Sequence, residues 1–252
     1  ISANIVVSAM DVKRTVLNCM DRSDVDEDFY ERVENFKIRG SSGTLNIALD
    51  GLPTFPPLPE GSSLQISDMH FIDSMARMER AYDDWKAGTW SKDPYIDMVI
   101  PTTVDPTMAP PGKHFMSCFI QYCPHKLEGR DWTDPEREAF AQTVIDQIAN
   151  YSPDFRDLIV HYEVRTPADI EEQIGITEGN IFHGELTMDQ LLFNRPVPGY
   201  AQYRAPVAGL YMCGSSTHPG GGVMAAPGAN AAREILADLK RPNTVPENFG
   251  DD

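Results

Sequence analysis

Basic residues are the scarcest resource in this chain: 21 Lys and Arg stand against 38 Asp and Glu, a formal net charge of −17. An acidic excess of that size repels phosphate backbones and anionic bilayer surfaces, so nucleic acid is excluded as a partner. A solvated, solubilising surface is its plain reading. Long apolar runs are also missing. No stretch approaches the roughly 18 apolar residues that a membrane-crossing helix needs, so no transmembrane segment is expected. Residues 1–7 lack the basic start and cleavage pattern of a signal peptide.

Cysteine is sparse. Cys19, Cys118, Cys123 and Cys213 sit at unrelated spacings, each in an apolar stretch. That excludes a disulfide framework and reads as reduced, buried thiols in the cytoplasm or an organelle matrix. The short Cys-x2-Cys knuckle of structural zinc sites is absent too. His114, Cys118, Cys123 and His125 come nearest to a ligand set, but on a strand over 115–122 the two pairs have opposite parity. No metal is expected. A serine-hydrolase elbow would need Gly-x-Ser-x-Gly between strand and helix. Residues 213–217, Cys-Gly-Ser-Ser-Thr, have the position without the second glycine. Repeats and low-complexity runs are missing as well.

What is present is ordinary globular material. A length of 252 residues with 41% hydrophobic and 9% aromatic content buries a sizeable core in one or two domains. The chain opens at Ile1 inside an apolar pattern and is expected to be a fragment or a processed chain.

The periodicities alternate between the two regular structures. A strand over 5–8 enters a helix near Asp11 that carries Val12, Val16 and Leu17. A helix over 26–35 opens with acids that complement its N-terminal dipole. Residues 37–49 alternate as a long strand, bent or bulged near 41–43, and the prolines of 51–60 make a loop. Phe71, Met75, Met78, Tyr82 and Trp85 recur at steps of four and three, predicting a helix over 70–87 with that stripe in the core. Strands follow at 97–101 and 115–122. Thr133 and Glu136 form a capping box for a helix to about residue 150, with Pro135 in its first turn. A strand over 158–164 leads to a short helix begun by Thr166 or Asp169, and 195–208 is irregular. By periodicity alone the fold class is mixed α and β.

The most informative stretch comes late. Residues 210–213 are a short apolar strand, 214–222 a turn ending in three consecutive glycines, and 223–240 a helix of small residues with Ile235, Leu236 and Leu239 as its core face. Glycines there allow positive φ and bring bare amides close to a ligand. The helix start adds unsatisfied N–H groups and partial positive charge, which suits a phosphate or the electron-rich edge of a reduced flavin.

Cys213-Gly214-Ser215-Ser216-Thr217-His218-Pro219-Gly220-Gly221-Gly222-Val223, with Ala226-Pro227-Gly228-Ala229-Asn230 after it, resembles the C-terminal flavin-binding segment of the phytoene-desaturase-like FAD-dependent oxidoreductases, within the amine oxidase superfamily. Residues 178–190, around Asn180-Ile181-Phe182-His183-Gly184-Glu185, are similar to the branch called pyridine nucleotide-disulfide oxidoreductase domain-containing protein 2. The resemblance runs over essentially the whole chain but matches only the C-terminal half of such a protein; the Gly-x-Gly-x-x-Gly segment for the ADP part of FAD is absent.

The resemblance implies an α/β flavoprotein with 1–36 and 205–252 as pieces of an FAD-binding domain and 37–204 as a mixed-sheet substrate domain. It implies FAD as cofactor, with Gly214 and Ser215 toward its ribityl and pyrophosphate part, and Gly221, Gly222, Val223 and Met224 at the isoalloxazine. His218 either lines the cavity or shapes the turn. His183 and Glu185 either position a substrate or hold a corner of the fold. The implied reaction is desaturation, saturation or isomerisation of an apolar unsaturated small molecule. The missing FAD-binding half, or a second chain supplying it, is the implied partner, and a homo-oligomer stays open. The alternative is a flavoprotein-like scaffold or interaction module without turnover.

Overall fold

The computed structural model describes residues 2–56 and 67–240; residues 57–60 of the expected proline loop lie outside them. The chain divides into two compact units, Ile1–Arg39 with Ile174–Asp252, and Gly40–Gln173. Residues 174–204, grouped with the sheet in the sequence reading, belong to the discontinuous unit. The physical reason is a set of hydrogen bonds to 37–39: Glu185 N donates to Lys37 O at 2.9 Å, Gln190 Nε2 to the same carbonyl at 2.9 Å, and Asn180 Nδ2 to Arg39 O at 2.8 Å.

The continuous unit is built on a five-stranded antiparallel sheet. Its strands are β2 (Ser42–Leu49), β3 (Asp68–Phe71), β4 (Tyr95–Val99), β5 (His114–Gln121) and β6 (Ile159–Arg165), in the order β3-β4-β5-β2-β6. Period-two alternation sends Leu45, Ile47 and Leu49, Ile96 and Met98, and Met116, Cys118 and Ile120 to one face. There they meet Phe140, Ala141, Val144, Ile145 and Ile148 of α3 (Asp134–Ala149) to form a single core. The opposite face carries Asn46, Asp97 and Ser117, with Ser117 Oγ donating to Asn46 Oδ1 at 2.8 Å.

Several details depart from expectation. The register break in β2 lies at Ala48/Leu49, not near Gly43. Gly43 instead makes room for α3, since a Cβ there would stand 2.9 Å from the Phe140 ring. Thr133 precedes α3 without a side-chain capping bond, so the capping box is not formed. The helix predicted over 70–87 is α2 (Met75–Lys86), capped by Ser74 Oγ accepting from Arg77 N at 3.3 Å, because Phe71 is drawn into β3. Its buried positions are Arg77, Ala81 and Trp85, while Met75 is 81% exposed. The short helices α4 (Phe155–Leu158) and α5 (Pro167–Ile174) flank β6.

In the discontinuous unit, β1 (Val6–Ser8) pairs in parallel with β7 (Leu210–Met212). The helix expected near Asp11 forms over residues 12–19, with π-helical geometry at Arg14–Asn18, and buries Val12 and Val16. With α1 (Glu27–Glu34), capped by Asp26 Oδ1 accepting from Phe29 N at 3.1 Å, it encloses a second core of Val12, Val16, Phe29, Val33, Phe36 and Met212. Cys19 is exposed and Cys213 half-buried, so only Cys118 and Cys123 are the buried thiols expected of all four. The last helix, α6, spans Ala226–Leu239; it buries Ala231 and leaves Leu236 and Leu239 56% and 64% exposed, contrary to the expected core face.

Candidate functional site

Strand β7 delivers the chain into the glycine turn, and the back of that turn is bound to its own unit. Cys213 N donates to Ser8 O at 2.8 Å. A Cβ on Gly214 would lie 2.5 Å from Ala9 O and 3.2 Å from Met10 O, so glycine lets the segment after β1 approach. Ser216 Oγ accepts from Val12 N at 3.0 Å and donates to His183 O at 2.7 Å. Thr217 closes the loop on Gly214 O through both its amide, at 3.0 Å, and its hydroxyl, at 2.8 Å.

The front of the turn is different. Gly220 and Gly222 take φ of +102° and +122°, and Val223 and Ala225 take +55° and +54°. A left-handed valine and alanine interrupt helical geometry, so α6 starts at Ala226 rather than at Val223 as expected. Val223 is fully exposed and Met224 about half. No side chain caps the start of α6, and Pro227 lacks an amide; the first bond into the helix is Ala229 N to Ala225 O, 3.0 Å. A Cβ on Gly221 would meet the Phe182 ring at 2.6 Å. The result is a strip of bare backbone, open on one side, ahead of unsatisfied helix amides.

The 180–190 segment packs against this turn. Asn180 Oδ1 accepts from Phe182 N at 2.9 Å, and His183 sits at φ +54°. The His183 Nδ1 atom is buried without a partner among the described residues. Burial pushes the His183 pKa down, the Asp11 carboxylate opposes this, and the Arg195 charge adds to the lowering. His183 is thereby held as a neutral imidazole. Glu185 makes a two-pronged ion pair with Arg39, at 2.7 and 2.9 Å, and its side chain is 10% exposed. The structure therefore joins His183 to the turn through Ser216, and engages Glu185 with Arg39. Tyr203 Oη donates to the His218 carbonyl at 2.8 Å and itself accepts from Asn230 Nδ2 of α6 at 2.8 Å.

Two organising residues escape sequence reasoning. Arg195 is fully buried and donates to the carbonyls of Ser215 and Phe182 at 2.9 Å and of Glu185 at 3.2 Å. It ties the back of the glycine turn to the 182–185 loop, and burial lowers its pKa to about 10. Its only signal in the sequence is an arginine set before Pro196 and Val197 in an irregular stretch. Asp11, 2% exposed, accepts from Arg14 N at 2.9 Å, Thr177 N at 3.1 Å and Thr177 Oγ1 at 2.9 Å, closing the other side.

This arrangement occurs in a chain with clear kin. Pyridine nucleotide-disulfide oxidoreductase domain-containing protein 2 of Mus musculus is 37% identical over 247 residues, 95% of this chain. The 4,4'-diapophytoene desaturase (4,4'-diaponeurosporene-forming) of Staphylococcus haemolyticus is 30% identical over 144 residues, 56% of this chain and 28% of its own. The chain is a relative of the phytoene-desaturase-like oxidoreductases. It spans less than half of the mouse relative, 42% of that length. No protein-family model matches the chain. Among solved structures, the PF1083 protein from Pyrococcus furiosus is 13% identical with a TM-score of 0.48, covering 98% of this chain and 43% of that one. Among the described residues, no helix of this oxidoreductase relative is long and apolar enough to cross a membrane.

Proposed function

We propose that this chain is a portion of an FAD-dependent oxidoreductase and that its glycine turn forms part of the flavin site. The observation that carries the reading is the two-sidedness of residues 213–225. Cys213, Gly214, Ser216 and Thr217 are committed to their own chain, whereas Gly220, Gly222, Val223 and Ala225 present left-handed backbone ahead of the uncapped start of α6. Bare amides at a helix N-terminus suit the charge that builds on the pyrimidine edge of a reduced flavin. Gly221, Gly222, Val223 and Met224 would line the isoalloxazine with His218 beside them, and Gly214 and Ser215 would set the height of the ribityl and pyrophosphate part. When bound, FAD supplies hydride acceptance and donation.

The chain's own residues would bind, orient and exclude water. Ile181, Leu186, Met188, Phe193, Val223 and Met224 are exposed large apolar side chains on the 181–193 and 223–224 segments. An apolar ligand would cover them. Together with the kinship to a diapophytoene desaturase, they favour an apolar unsaturated small molecule and its desaturation, saturation or isomerisation. His183, neutral beside Ser216, is the group available to hold a proton.

The β1–β7 pair supports the partner half of this reading. Parallel strands are stable inside larger, covered sheets, yet Val6 and Val7 of β1 are 53% and 47% exposed. The expected partner is the FAD-binding half, carried on the same longer polypeptide or on a second chain.

The test is flavin content. The longer polypeptide, or this chain co-purified with its second subunit, is expected to be yellow and to release FAD on denaturation. Val223→Glu, a change at a fully exposed position, should remove most of the bound flavin, while the flavin-free forms of variant and parent melt at the same temperature. A colourless complete protein overturns the assignment and favours a scaffold without turnover, whereas a Val223→Glu variant with full flavin content overturns the placement of the flavin at this turn.

A further inference from the structure

The outer hairpin of the five-stranded sheet brings together side chains that the flavin reading does not use. In the β3–β4 register His70 stands opposite Asp97, and Asp68 opposite Val99. Met69, Phe71, Ile96 and Met98 pack on the core, so alternation sends Asp68, His70, Tyr95 and Asp97 to the other face. One potential ligand atom from each of Asp68, His70 and Asp97 lies within 4.8 Å of the other two. Among the described residues this is the group where three such atoms converge.

The imidazole is oriented. His70 Nδ1 is 2.5 Å from the Tyr95 hydroxyl, and Nε2 is 3.5 Å from Asp68 Oδ1. With the Nδ1 proton donated to the Tyr95 oxygen, Nε2 turns its lone pair toward the carboxylates. Metal-bound histidines are held in this way, with the second ring nitrogen donating to an outer oxygen. Among the described residues no lysine or arginine forms an ion pair with either carboxylate.

We propose that Asp68, His70 and Asp97 form a divalent-cation site at the edge of the sheet, with water completing the coordination. One imidazole nitrogen and two carboxylate oxygens fit Zn²⁺, Co²⁺ or Mn²⁺ better than Ca²⁺, which prefers oxygen throughout. The ion neutralises two like charges on adjacent strands and clips the edge strand β3 to β4. The site belongs to the Gly40–Gln173 unit and stands independently of the flavin assignment.

The experiment is a calorimetric titration of ZnCl₂ into purified protein freed of metal with a chelator. Saturable binding of one equivalent is expected, with the His70 ring signals shifting in a ¹H–¹⁵N spectrum. His70→Gln and Asp97→Asn should each weaken binding at least about tenfold, whereas the charge-matched Asp131→Asn should leave it unchanged. If Asp97→Asn does not fold, the more exposed Asp68→Asn carries the same comparison. No one-equivalent binding, or binding that survives both ligand substitutions, overturns the site.

Discussion

Gly214 and Gly228 sit 14 positions apart and respond in opposite directions to one added methyl group. At Gly214 the new Cβ would stand 2.5 Å from Ala9 O and 3.0 Å from Ala9 C, both backbone atoms that move only by shifting the segment after β1. Gly214→Ala is expected to cost about 1–3 kcal/mol, the range for overpacking. Gly228 lies inside α6, and a Cβ there meets nothing within 4 Å. Gly228→Ala should stabilise by about 0.4–1 kcal/mol, mainly by restricting the unfolded chain. Chemical denaturation of the two variants checks the pair, and equal midpoints would remove the case that Gly214 is a contact between backbones. Residues of this kind separate what a sequence can display from what it conceals. The glycines of 214–222 are visible because glycine is punctuation in any pattern. Arg195 is invisible, because its partners are carbonyls, and every residue type supplies one.

At the scale of elements, strands were easier to read than helices. β2, β4 and β5 each bury alternate residues against one core, and a period of two survives small errors of boundary. α2 shows how a helical pattern misleads. Phe71, Met75, Met78, Tyr82 and Trp85 keep helical spacing, but Phe71 belongs to β3 and Ser74 fixes the helix start. The buried face is then Arg77, Ala81 and Trp85, with Trp85 Nε1 donating to Gly40 O at 3.0 Å. Trp85→Ala is expected to cost about 3–5 kcal/mol. Met75→Gln, at an 81% exposed position, should stay within about 0.5 kcal/mol of the parent. Thermal melts of both variants decide between the two stripes; a large loss at Met75 would restore the one read from the sequence. The Asp68, His70 and Asp97 group was hidden for a related reason. It depends on the register between β3 and β4 across 27 positions, and alternation within one strand carries no information about its partner.

At the scale of the whole molecule, the decisive fact is how each core maps onto the chain. Every member of the larger core, from Leu45 to Phe155, lies within the uninterrupted stretch Gly40–Gln173, as do all five strands of its sheet. The smaller core draws Val12, Val16, Phe29 and Val33 from one end of the sequence and Val197 and Met212 from the other. Its ties between 37–39 and 180–195 likewise join distant segments. A contiguous segment with its own core can fold alone, whereas neither half of a divided core buries enough apolar surface to offset its lost conformational entropy. Residues 40–173 expressed alone should therefore melt cooperatively and keep near-ultraviolet dichroism from Trp85, Trp90 and Trp132, whereas 174–252 alone should remain unfolded. The stacked Trp90 and Trp132 rings, 5.4 Å apart and both edge-on to Phe140, make that signal a direct report of core packing. A fragment with helical and strand dichroism but no near-ultraviolet signal would be a collapsed state without fixed packing. That outcome would show that the sheet unit depends on the flanking segments for its order.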